Sequence, residues 1–172
     1  MTGPDDAQPG GTRVYTILLL TEEALGDHDV ARVAQLHGDE AVRVHVLVPA
    51  DSRHNPLVEA LDEVALGHLR EAIDDSDDPS PQQAEQEARQ ALNASIVALR
   101  DAGLEAEGAT TDDDPVPAAL EAVSQQQVDE VIVVTPPHLV EEALRRDWAS
   151  RLREKVELPV LHVVAGTDRV VG

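Results

Sequence analysis

VYTILLL, residues 14–20, carries apolar side chains on both of its alternating faces apart from Thr16. Such a strand has to be covered on both sides, which suits the middle of a parallel sheet sandwiched between helices. VRVHVLV (42–48), VDEVIVVT (128–135) and LPVLHVV (158–164) repeat the type, and GLEAEGA (103–109) is a weaker candidate. Between these runs the apolar spacing changes to that of helices. Val30, Val33, Ala34 and Leu36 follow an Asp27/Asp29 start, and Leu57, Leu61, Val64, Ala65, Leu69, Ala72 and Ile73 follow Pro56. Ala84, Ala88, Ala91, Leu92, Ile96 and Leu99 form a third series, stopped by Ala102-Gly103. TTDDDPVPAALEAVSQQQ reads as a helix with acids at its positive end and prolines in its first turn. Val140, Leu144, Trp148, Leu152 and Val156 recur every four residues and make one stripe, on which Trp148 is a packing residue. Alternation of this kind predicts an α/β fold with a parallel sheet and helices on both faces.

The chain has 172 residues, 42% of them hydrophobic and 27% charged, which is enough for one domain with a real core. Residues 1–12, MTGPDDAQPGGT, have nothing to bury and read as a flexible lead-in to a domain over 13–172. Phe is absent, and Tyr15 and Trp148 are the only aromatics, so aliphatic side chains must fill the core. A net charge of −21 repels phosphate backbones and anionic lipid headgroups, so neither nucleic acid nor a membrane surface is expected as a partner. The absence of cysteine excludes disulfides, thiol catalysis and Cys-ligated zinc. With no cationic leader and no membrane-length apolar run, a cytoplasmic location is the expectation.

In an open α/β sheet a ligand sits beyond the carboxyl ends of the strands, where the strand order reverses. The stretches to inspect are therefore Thr21-Glu22-Glu23, Val48-Pro49-Ala50, Thr110 to Asp114, and Thr135-Pro136-Pro137-His138. A phosphate cradle needs converging backbone N–H groups and the tight turn that glycine permits. Pro136 and Pro137 have no N–H to donate, and Glu141 and Glu142 put negative charge where a phosphate would lie. Neither G-x-x-x-x-G-K-[ST] nor a G-x-G-x-x-G after a strand occurs. The acids Asp74, Asp75, Asp77 and Asp78, and Asp112 to Asp114, lack the alternation and glycine of a calcium loop and read as solvated loops and helix caps. Seven scattered histidines show no metal spacing. His45 and His162 fall inside strands and read as core or edge residues with one hydrogen bond, and His138 alone falls at the ligand edge. No nucleophile stands at a recognisable spacing from a base, so an enzyme is not expected, and no metal or cofactor is implied.

Taken in order, several strings resemble the universal stress protein family over residues 13–165. TILLLTEE is similar to its first strand, HVLV to its second, Asp112 to Leu120 to its third loop and helix, and VDEVIVV to its "aDlIVmG" strand. ASRLREKVELPVLHVV is similar to its "vserllrkapcPVlvV" ending, with Pro159-Val160 at the family's Pro-Val. The resemblance implies a single-domain open sheet of five parallel strands in the order 3-2-1-4-5. In the family's ATP-binding branch the fourth strand is followed by G-x-x-G, then nine residues, then Gly-Ser or Gly-Thr. Here Thr135 and His138 stand at the first two glycines and Arg146-Asp147 at the Gly-Ser, and Thr21 stands where the family has an acid. Of the positions the family sets against a nucleotide, only Val46 is ordinary.

The resemblance thus implies a branch without the ATP site: a non-catalytic stress-response or regulatory module with no bound cofactor. The alternative is a degenerate domain that takes AMP, ATP or another small molecule in the cleft lined by Thr21, Val46, Thr135 and His138. The family commonly forms homodimers through its last strand. That implies an interface of Pro159, Val160, Leu161, His162, Val163 and Val164, with Arg169 to Val171 as an extension of the same apolar edge.

Overall fold

The structure, a computed structural model, describes residues 13–38, 40–50, 80–137 and 148–171. The strands are β1 (Tyr15–Thr21), β2 (Val42–Pro49), β3 (Glu105–Thr111), β4 (Glu130–Thr135) and β5 (Val160–Val164). The helices among the described residues are α1 (Asp27–Leu36), α2 (Pro81–Asp101), α3 (Val116–Gln125) and α4 (Trp148–Arg153). The helix expected over 55–73, the acids Asp74 to Asp78 and the first part of the helical stretch after β4 lie outside the described residues.

All five strands are parallel and lie in the order β3-β2-β1-β4-β5, as the sequence resemblance implies. β1 is central, and Ile17, Leu18, Leu19 and Leu20 are each wholly buried. Burying a leucine or isoleucine side chain stabilises by about 1.5–3 kcal/mol, so this tetrapeptide anchors the domain. Successive residues face opposite sides of the sheet, and two cores result. Ile17 and Leu19 join Val44, Val46, Ile132 and Val134 of the sheet with Val30 and Val33 of α1 and Ala88, Leu92 and Leu99 of α2. Leu18 and Leu20 join Val131 and Val133 with Val116, Ala119 and Ala122 of α3 and Trp148, Ala149 and Leu152 of α4. Helices therefore cover both faces, α1 and α2 on one and α3 and α4 on the other.

Local chemistry fixes the helix ends. Ser80 and Gln83 bond each other reciprocally at the start of α2, with the Ser80 hydroxyl accepting from the Gln83 N–H and the Gln83 side chain accepting from the Ser80 N–H. Pro81 follows in the first turn. At the other end Gly103 adopts φ +88°, and the Leu104 N–H returns to the Leu99 carbonyl, closing the helix. Ser95, fully buried, accepts the Leu25 N–H at 3.0 Å and ties α2 to the loop after β1.

The segment after β5 does not lengthen that strand. It turns at Ala165–Asp168 and comes back antiparallel, so that Val170 lies beside Val163 on the side away from β4. The Val171 N–H donates to the His162 carbonyl at 2.8 Å and the Val164 N–H to the Arg169 carbonyl at 3.1 Å. From His162 to Val164 the outer edge of β5 is thus covered by the chain itself.

Candidate functional site

The strand order reverses between β1 and β4, which places the crevice at their carboxyl ends, where Thr21 lies beside Val134 and Thr135 beside Val164. Both threonines are buried, at 2% and 3% exposure. They lie on opposite faces of the sheet. Thr21 follows Leu19 by two positions and so looks toward α1 and α2, whereas Thr135 follows Val133 and looks toward α3 and α4. The Thr21 hydroxyl donates to the Glu23 carbonyl at 2.8 Å, closing the turn that leaves β1. The Thr135 hydroxyl and His162 Nε2 share a buried hydrogen bond of 2.9 Å across β4 and β5, with donor and acceptor set by the imidazole tautomer.

Val46 shares a face with Thr21 but lies in mid-strand, paired with Leu19 on one side and Gly108 on the other, and has no exposed surface. The structure brings Thr21 and Val46 to one side and Thr135 to the other. His138 lies outside the described residues. Pro136 is buried and Pro137 exposed immediately beyond β4, so the backbone there offers no N–H at two successive positions.

The exit of β3 carries the acids. Asp114 takes a two-pronged pair from Arg151 of α4, with Nη1 to Oδ1 at 3.0 Å and Nη2 to Oδ2 at 2.7 Å, and it also accepts the Val116 N–H at the start of α3. Sequence reasoning misses this guanidinium and reads Asp114 only as a cap, because the two residues are 37 apart. The hydrogen bond from Arg151 is the main reason the Asp114 carboxyl is held below its ordinary value of 3.8, against the opposing effect of partial burial. A depressed folded value stabilises the fold above the unfolded value, and that increment is lost as pH falls through the folded one. Asp114→Asn should therefore destabilise fully at neutral pH and progressively less below about pH 3.8, as read from denaturant midpoints across pH. Both side chains are more than 40% exposed, so solvent screening keeps the effect small.

Glu22, Glu23, Asp112 and Asp113 stand at the same sheet edge and add negative charge to it. Among the described residues no group of three His, Cys, Asp or Glu is disposed to hold a metal ion, and no helix is long and apolar enough to cross a membrane. His45 is half-buried within β2, with Nδ1 3.5 Å from the Gln126 amide and 3.6 Å from Glu107.

No protein-family model and no curated protein sequence matches the chain. The solved structures similar to it in fold include two universal stress proteins. One is a universal stress protein from Archaeoglobus fulgidus in complex with dAMP, with a TM-score of 0.47, 13% identity, and coverage of 88% of this chain and 98% of the other. The second is a universal stress protein from the same organism, with a TM-score of 0.46, 15% identity, and coverage of 86% of this chain and 92% of the other.

Proposed function

We propose that this chain is a non-catalytic regulatory or protein-interaction module, linked to stress responses, that does not hold ATP tightly and pairs with a second copy along β5. The observation that carries the reading is the mutual engagement of polar groups at the carboxyl edge of the sheet. Thr21 closes its own turn, Thr135 is bonded to His162, and Arg151 is neutralised by Asp114. These three side-chain donors, among the described residues, are thus turned inward or paired and are not offered to a phosphate, and Pro136 and Pro137 supply no N–H. The surrounding carboxylates oppose a polyanion further. The link to stress responses rests on the five strings quoted above, and the absence of catalysis on a sequence in which no nucleophile stands at a recognisable spacing from a base; the Thr135–His162 hydroxyl–imidazole contact is buried within the sheet, away from any substrate.

The first test is the ultraviolet spectrum of freshly purified protein. With one Trp, one Tyr and no Phe, the chain absorbs weakly, so even a substoichiometric adenine nucleotide would stand out near 260 nm. A spectrum of protein alone, with no release of phosphate from Mg-ATP, is the expected result. A co-purifying nucleotide would instead favour a ligand-binding domain that uses the same crevice.

A further inference from the structure

Much of the outer edge of β5 is answered from within the chain. Its Val164 N–H donates to Arg169, its His162 carbonyl accepts from Val171, and its Val164 carbonyl accepts from Thr167 through both N–H (3.2 Å) and hydroxyl (2.9 Å). The Val160 carbonyl accepts from Arg153 Nε at 3.3 Å. The stretch His162–Val164, covered in this way, cannot pair with another strand, whereas an uncovered edge readily does.

The cover is held from one side. Asp29 of α1 accepts the Gly166 N–H at 2.8 Å, Arg32 donates to the Thr167 carbonyl at 2.8 Å, and His28 lies 3.2 Å from Asp168. These contacts fix the turn. The returning residues themselves have little apolar anchorage, since Val170 is 50% exposed and makes a single bridge to β5. Segments with few buried apolar contacts and short hydrogen-bond ladders open locally at small cost, while the turn behind them stays docked.

From this geometry we infer that Arg169–Val171 is a strap that guards the β5 edge, and that a second copy of this chain pairs there only when the strap opens. The inference rests on the reading that the chain pairs with itself along β5, and adds what controls it. Both copies must be open, so the apparent dissociation constant of the dimer exceeds the intrinsic one by the inverse square of the open fraction. An open fraction of about one-tenth weakens the dimer roughly a hundredfold.

Two variants test it by sedimentation equilibrium beside the full chain. A chain ending at Asp168 keeps the turn and its α1 contacts and loses only the strap. V163C/V170C staples the strap shut: the pair is flanked by the two strand hydrogen bonds and not joined by them, which sets Cα atoms about 4.5 Å apart, within disulfide range. The chain has no other cysteine to compete. The expected result is a dimer at least roughly tenfold tighter for the shortened chain, none for the oxidised double variant, and return of the dimer when the disulfide is reduced. Equal dimer constants for the full and shortened chains would overturn the strap and leave self-pairing intact. A stapled, oxidised chain that dimerises as well as its reduced form would also overturn it. No dimer in any form at any concentration reached would overturn self-pairing itself, and the strap with it. Should the shortened chain fail to fold, the staple decides alone.

Discussion

Gly108→Ala is expected to lower the stability of the domain by about 3 kcal/mol, which in a protein of this size lowers the midpoint of thermal unfolding by roughly 6–12 °C. Gly108 pairs with Val46 at the β2–β3 junction. A Cβ placed there would stand 2.1 Å from the Val46 carbonyl oxygen and 2.9 Å from Leu92 Cδ1. The leucine can shift, but the carbonyl belongs to a central stretch of β2 buried under α2 and cannot move without parting two strands. Gly103 supplies the contrast. Its φ is +88° and nothing lies within 4 Å of the added atom, so alanine there costs only the left-handed strain of about 1 kcal/mol. Circular dichroism melts of the two variants separate close approach from backbone conformation. Similar losses in both would mean that the contact at Gly108 is relaxed without consequence.

Asp29→Ala should lose about 3 kcal/mol, because a buried carboxylate accepting backbone N–H groups is removed and its donors are left inside. Asp29 is 4% exposed, with Oδ1 on the Gly166 N–H at 2.8 Å and Oδ2 turned back to the Gly26 N–H at 3.4 Å. It also sets negative charge in the first turn of α1, where the helix dipole favours it. Asp29→Asn keeps one acceptor and loses the charge, and should cost about half as much. The two effects are read from urea midpoints, and their location from hydrogen exchange. The Gly166 and Val171 amides should lose protection in Asp29→Ala while those of β1 and β4 fall only with global stability. Uniform loss over the sheet would mean that Asp29 does not hold the turn before the strap.

What can be read from the sequence is periodic, and what cannot is mostly register and return. The β-branched runs mark β1, β2, β4 and β5 because a strand covered on both faces leaves a continuous apolar signature. β3 is the weak one, since Glu105, Glu107 and Ala109 are exposed at the sheet margin and Gly108 contributes no side chain. The sequence pattern puts Thr21 and Thr135 at strand ends, where the structure also has them. Their facing is not legible, because one position of register between β1 and β4 decides which layer each threonine meets, and only packing fixes that register. The partners that organise the edge are also distant in sequence: Asp29 with Gly166, Arg151 with Asp114, and Ser95 with Leu25. Arg169–Val171 looks like more of β5 because its composition matches. The turn that reverses it is stabilised by Asp29 and Arg32, which no local pattern reveals.

The same division holds for the features that disfavour a nucleotide. Missing glycines and successive prolines are visible in the sequence, whereas the inward hydrogen bonds of Thr21 and Thr135 and the Arg151–Asp114 pair appear only in the fold. Both lead to the same expectation. Isothermal titration of the purified full chain with Mg-ATP, and separately with AMP, tests it most directly. No binding heat that fits a dissociation constant tighter than about 10 µM, or roughly 7 kcal/mol of binding free energy, is expected. Saturable binding below that value, at one nucleotide per chain, would contradict it and make this edge of the sheet a phosphate site built without glycine.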